Sequence, residues 1–278
     1  MKRLFLILIT ALFAIFIYSF LTEASPFKDQ KEYLQTAGNL LNNNLLYSAE
    51  PAEVDDYRRF AKRPLGLPVY ILLQHQNVHL IQISQAIVIL LLFFTGLLFL
   101  RRFTFKRRSF ILFGSFYALN LAFLIHSSFV FADLLLSGVT TIAVFLIYDT
   151  RNSLKNRLIW LSFMWALALA IKPVILPSLL LIPVLVVYYI LKNKQFYWQL
   201  LLPFFVFVFT SSLNYKNTGR FEYSSMTTIK LVQYNARLTI ADAYGYDSAI
   251  AFSENKAFII PRSKEEYATY KEEANEIC

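Results

Sequence analysis

The sequence predicts an all-α polytopic membrane protein of about seven transmembrane helices. Three observations predict it. Of the 278 residues, 57% are hydrophobic and only 16% charged, with 27 Phe against seven Gly. The charges sit in short blocks between uncharged runs, and most of those runs reach the roughly 17 to 25 residues that span a bilayer. Finally, Lys and Arg concentrate in alternate connections, so the formal net charge of +9 is a matter of topology and not a nucleic-acid footprint. The single cysteine, Cys278, excludes an internal disulfide framework and every multi-Cys metal site. His75, His79 and His126 show no zinc-ligand spacing.

The runs, in order, are Leu4–Leu21, Leu80–Leu100, Ser109–Ala132, Leu134–Tyr148, Leu158–Ile171, Pro173–Leu191 and Gln195–Tyr215. The fourth and fifth are short, so those helices are expected to end below one membrane surface, against protein or a wet cavity. With the N-terminus cytoplasmic, the inside segments are Lys2-Arg3, RRFTFKRR (101–108), DTRNSLKNR (149–157) and KNK (192–194). They hold 12 of the 27 Lys and Arg against the single acid Asp149, leaving 15 cations and 17 acids for the rest of the chain. That is the positive-inside pattern. Residues 1–24 have the charged start of a signal peptide. Their 18-residue apolar run exceeds the usual ~7 to 15, however, and the segment is expected to remain as an anchor.

This division makes 1–213 a transmembrane module with an external loop at 22–79, and 214–278 an external segment. The loop carries six basic and seven acidic side chains, more than a connection needs. Within it, Tyr33, Leu34, Ala37, Leu40 and Leu41 recur at helical spacing between Lys31, Glu32, Gln35, Asn39 and Asn42. The spacing predicts an interfacial amphipathic helix, ended by Asn42–Asn44. Asp29 lies at its front. It reads either as a carboxylate capping free backbone N–H groups or as a general base at the water–membrane boundary, where desolvation raises a carboxyl pKa. KRPLGLPVYILL (62–73) then gives Lys62 and Arg63, three residues that break regular structure, and an apolar run too short to span. Its two cations are either ordinary interfacial charges or contacts to an anion.

The order of these pieces resembles a known family. A first helix, an external D-x-x-x-Y-x-x-x-A (Asp29, Tyr33, Ala37), then R-P-x-G-x-P (Arg63 to Pro68) before the second helix, is similar to the N-terminal half of GT-C membrane glycosyltransferases, nearest to the bacterial protein O-mannosyltransferase and aminoarabinose transferase branch. FVFADLLLS (129–137), ALALAIKPVILPSLLL (166–181) and NYKNTGRFEYSS (214–225) resemble later landmarks of that family, so the likeness runs from residue 1 to about residue 236. It implies a polyprenyl-phosphate sugar donor, an inverting transfer to a lipid, glycan or protein hydroxyl, and a site facing the periplasm from the bacterial plasma membrane. It also implies further spans beyond Cys278, part of a longer protein whose remainder would help bind the acceptor.

By position, the resemblance makes Asp29 the base, while Lys172 and Arg63 are candidates for the donor phosphate. Lys172 follows a 14-residue apolar run, a helix of roughly 21 Å, so its ammonium is expected beneath the surface and in need of a partner: a lipid phosphate, or water reached by snorkelling. Tyr33, Lys62, Asp133 and His126 are further substrate-cavity candidates, Asp133 doubling as a possible helix cap and His126 as an interfacial histidine. Some relatives bind a divalent cation near an acid at this point. With no second carboxylate at 131–135, Asp133 is the sole candidate ligand and metal use stays open. Gln233, Tyr234 and Asn235 are of sugar-contact or structural hydrogen-bonding type. A lipid or solute transporter and a non-catalytic membrane scaffold remain as alternatives to the enzyme. The enzyme alone requires Asp29, Lys172 and Arg63 to face one cavity.

Overall fold

Among the described residues, helices form over the later apolar runs and the amphipathic segment, and they end at identifiable residues. The computed structural model describes residues 10, 13–14, 17–18, 21, 28–50, 56–102, 111–115, 130, 132–148, 153–226, 235, 237–252 and 261–277. Among the described residues it is 82% helical with no strand, and the one β-type contact is an isolated antiparallel bridge between Tyr47 and Phe60. Also among the described residues, four helical segments are long and apolar enough to cross a membrane: Val78–Arg101, Leu154–Ile171, Pro173–Asn193 and Trp198–Thr218. The runs 4–21 and 109–132 lie largely outside the described residues. So do His126, Gln233 and Tyr234.

The chain divides into two units that interleave in sequence, Met1–Lys31 with Leu73–Phe204, and Glu32–Leu72 with Phe205–Cys278. In the first unit, α3 (Val78–Arg102) packs on α4 (Ala132–Tyr148), and α4 packs on α5 (Leu154–Ile171). At 17 residues α4 is about 26 Å long, short of the ~30 Å hydrocarbon core, as its run predicts. The fifth helix is longer than its run. Ser153 caps it, its hydroxyl accepting from the Asn156 N–H at 3.3 Å, so the helix takes in Leu154 to Arg157 and reaches 18 residues. The cap and the helix-favouring Lys and Arg extend it where hydropathy alone marks a stop.

Lys172 ends α5 because Pro173 follows. The residue before a proline avoids the helical region, and Lys172 is extended at φ −142°, ψ 132°. The chain continues as a 3-10 segment, Pro173–Leu180, before α6 (Leu181–Asn193), which Lys194 closes in a left-handed conformation. Ile89, Leu92, Phe93 and Leu134 form one core cluster, and Leu158, Tyr197 and Leu200 another. Gly138 lets α4 approach α3: a Cβ there would stand 3.3 Å from Val88 Cγ1, the close approach that small residues permit between membrane helices.

The second unit contains most of α1 (Lys28–Asn43), a turn at Tyr57–Arg59, α2 (Gly66–Leu73), the body of α7 (Leu202–Thr218), and α8 (Arg237–Tyr244), α9 (Tyr246–Phe252) and α10 (Lys264–Ile277). The α1 bounds agree with the amphipathic spacing, and Asn44 ends it at φ 53°, a conformation that Asn tolerates better than most residues. Its orientation differs from expectation. Tyr33 and Ala37 are buried, but so are Glu32, Thr36 and Asn39, while Leu41 is 61% exposed. The polar stripe is buried because it finds partners: Asn39 Nδ2 donates to the carbonyls of Tyr47 at 2.8 Å and Ala49 at 2.6 Å, and Glu32 takes two cations. A buried polar group with such partners does not carry the penalty of an unpaired one. The C-terminal helix α10 is tied to this unit through Tyr267, whose hydroxyl donates to Glu222 Oε1 at 2.5 Å, and through the Arg220–Glu272 ion pair.

Candidate functional site

In the first unit the chemistry collects at one end of the helices. Asp133 lies in the first turn of α4 and Lys172 caps the C-terminus of α5, and Lys172 Nζ stands 2.5 Å from Asp133 Oδ1. At the opposite end, Arg157 on α5 donates to the Ile147 carbonyl of α4 at 3.4 Å, so the two helices run antiparallel. Each charge of the Asp133–Lys172 pair is favoured by the dipole of its own helix, the acid at an N-terminus and the base at a C-terminus. The side chains are 51% and 31% exposed. A half-exposed pair of this kind contributes only about 0 to 1 kcal/mol, so it opens at little cost.

Asp29 belongs to the same end. It occupies the first turn of α1 and is exposed. The neighbouring Gln30 is buried, and its Oε1 accepts the Val130 N–H at 3.2 Å. Val130 is three residues from Asp133, a distance of at most about 11 Å along the chain. Residues 29–30, 130, 132–133 and 172 are therefore gathered at one end of this unit by two hydrogen bonds. The partner expected for Lys172 was a lipid phosphate or water. The partner that the structure supplies is a carboxylate of the chain, from a position 39 residues away.

The second unit holds the other pair of sequence-selected cations. Glu32 Oε1 accepts from Lys62 Nζ at 2.7 Å, and its Oε2 lies 2.8 Å from Arg63 Nε and 2.6 Å from Nη2. Arg63 is 7% exposed, and its guanidinium carbon lies 4.8 Å from the centre of the Tyr33 ring. Stacking on Tyr33 orients a planar cation, and the carboxylate then fixes it from the side. Beside it in the chain, Asp56 accepts from Arg58 Nε at 2.9 Å and Arg59 Nε at 3.4 Å. The hydroxyls of Ser224 and Ser225 donate to the carbonyls of Lys62 and Arg58. Among the described residues, four cations thus meet two carboxylates. Tyr223 is buried and stacked on Phe207 at 6.0 Å; burial pushes its hydroxyl well above the ordinary tyrosine range, so it stays protonated.

Sequence reasoning missed Glu32 and Asp56. A signal for Glu32 was present: Glu32, Thr36 and Asn39 fall on one helical face, a polar stripe followed by a loop that carries four cations. Asp133 meets Lys172 on Oδ1, and among the described residues no three His, Cys, Asp or Glu side chains converge. No family model, curated protein or solved structure matches this chain.

Proposed function

We propose that the protein is a membrane glycosyltransferase that moves a sugar from a polyprenyl-phosphate donor to an acceptor hydroxyl at the external face, with inversion. The observation that carries this reading is the gathering of the α1 front, Asp133 and Lys172 at one end of the first unit. Asp29 takes the proton from the acceptor hydroxyl. The acceptor oxygen forms a bond to the anomeric carbon as the bond from that carbon to the phosphate oxygen breaks, and the electron pair leaves with the phosphate. One displacement inverts the centre and needs a single carboxylate as base. Lys172 meets the charge that develops on the phosphate. Asp133 holds that ammonium in place beforehand and gives it up to the stronger anion, which the weakness of a half-exposed pair allows.

Lys62 and Arg63 are engaged by Glu32, which favours a structural part for them and leaves Lys172 as the principal phosphate contact. The same engagement gives substance to the scaffold alternative, in which the charges of the second unit serve folding alone. Transfer of label from a polyprenyl-phosphate sugar in membranes separates the two. The enzyme loses turnover in Asp29→Asn with donor binding retained, and loses donor binding in Lys172→Ala. Transfer that is absent from the wild type, or unchanged in Asp29→Asn, rejects the assignment.

A further inference from the structure

The end of the first unit opposite the Asp133–Lys172 pair gathers cations without acids. Arg101 lies in the last turn of α3, Lys155 and Arg157 in the first turn of α5, and Lys192 and Lys194 where α6 closes. Contacts bring these helix ends together. Phe99 of α3 meets Tyr148, the last residue of α4, with ring centres 5.8 Å apart, and Arg157 donates to the Ile147 carbonyl of α4. Tyr197 packs in one cluster with Leu154 and Leu158 of α5, and its hydroxyl accepts at 3.3 Å from Asn193 Nδ2, between the two lysines.

Among the described residues none of these five cations meets a carboxylate. Lys192 Nζ donates to the Tyr188 hydroxyl at 2.7 Å and stands 5.2 Å from the centre of that ring. Arg157 Nε is enclosed and has no acceptor. Elsewhere in the molecule cations are paired: Lys172, Arg58, Arg59, Lys62, Arg63 and Arg220 each meet an acid. The adjoining connections, which lie outside the described residues, do not remove the surplus. Residues 103–110 carry three cations and no acid, and 149–152 carry one of each.

The surroundings decide which anion answers this surplus. Trp160, Tyr188 and Trp198 stand exposed, three or four residues from Arg157, Lys192 and Lys194. Exposed Trp and Tyr on membrane helices take the headgroup level, which sets these cations at the depth of the lipid phosphates. A zwitterionic headgroup brings its own cation, so a group of unpaired cations selects a headgroup of net negative charge. A guanidinium with an unused edge suits a phosphate, which accepts from two of its N–H groups in parallel. We infer that this end of the first unit binds anionic phospholipid, the headgroup phosphates taken by Arg157 and by the lysines that close α6. The inference concerns the end opposite the proposed transfer site and does not depend on the transferase reading.

Two tryptophans supply the probe. The chain has three Trp, so the full-length Trp165→Phe variant emits from Trp160 and Trp198 alone, both at this end. In phosphatidylcholine vesicles, a fixed minor fraction of lipid with brominated acyl chains quenches that emission more strongly when it is phosphatidylglycerol than when it is phosphatidylcholine. The apparent preference falls by about fivefold for each engaged cation removed, in Arg157→Gln and in Lys192→Gln/Lys194→Gln. The latter pair is exposed, so its loss does not endanger the fold. Lys216→Gln/Lys264→Gln, which removes the same charge from exposed positions of the second unit, leaves the preference intact. Equal quenching by the two lipids, or an undiminished preference in Lys192→Gln/Lys194→Gln, overturns the proposal. Relief of the quenching by millimolar inorganic phosphate also overturns it, by showing a site for the free anion and not for a lipid.

Discussion

The two units differ in the charge they bury: among the described residues every buried charged side chain belongs to the second. In the first, Ile89, Leu92, Phe93, Leu134, Leu158 and Leu200 are buried beside the uncharged Gln82, Gln85 and Gln199, and large apolar residues such as Leu180, Val184 and Leu191 stand exposed. In the second, much of the buried surface is polar or charged: Glu32, Thr36, Asn39, Asp56, Arg63, Asn214 and Glu222. The contrast follows from the solvent. Against hydrocarbon there is no apolar drive to bring helices together, so the first unit relies on close fit, as at Gly138. In the second, each buried charge must carry its partner with it, and the unit holds together through particular pairs. Polarity therefore means different things in the two. A half-exposed pair in the first unit is cheap to open and suited to a ligand, whereas a buried pair in the second is costly to break.

That contrast can be broken by experiment, beginning with the largest effect. Asp29→Asn is expected to lower sugar transfer by about 10² to 10⁴-fold, the range of general-base catalysis, while stability shifts by no more than about 1 kcal/mol, the worth of an exposed acid in a first helical turn. Initial rates and a melting curve on the same preparation check both halves. Glu32→Ala leaves Lys62 and the buried Arg63 without their carboxylate and is expected to cost about 3 to 5 kcal/mol. Limited proteolysis would then open the segment around 56–63, and a mutant as resistant as the wild type would show that the pair is dispensable.

Lys172→Ala should weaken donor binding by about 1.5 to 3 kcal/mol, the strength of a hydrogen bond to a charged group, yet shift stability by no more than about 1 kcal/mol. If its stability cost equals that of Glu32→Ala, the distinction between the units fails. Asn39→Ala forfeits two hydrogen bonds to the loop at 47–49, at about 1 to 3 kcal/mol, seen as faster amide exchange at Ala49 and its neighbours. The smallest effect belongs to Leu41→Gln. This residue is 61% exposed, and the change should stay within about 0.5 kcal/mol; a larger loss in vesicles than in detergent would show that Leu41 faces lipid.

Much of this architecture was legible before any coordinates. Long uncharged runs foretold three of the four span-length segments, Pro173 foretold the end of α5, and the spacing of Tyr33, Ala37 and Leu40 gave α1 its bounds. The longer α5 was not legible from hydropathy, because the Ser153 cap and four following residues lie outside the apolar run. At the candidate site, Lys172 was recognisable as a cation in need of a partner, and its partner was misjudged. Lys62 and Arg63 were recognisable as a pair of cations, and Glu32, the acid between them, was passed over because it falls among the presumed water-facing residues of α1.

The difference has one physical origin. Hydropathy, helix caps and proline stops depend on a few neighbouring residues, so membrane character, helix positions and helix ends follow from order along the chain. Charge pairing depends on distances between side chains 31 or 39 positions apart, and each cation has several acids within reach of a flexible chain. Only the packed molecule decides that Lys172 meets Asp133, that Glu32 holds two cations, and which face of α1 is buried.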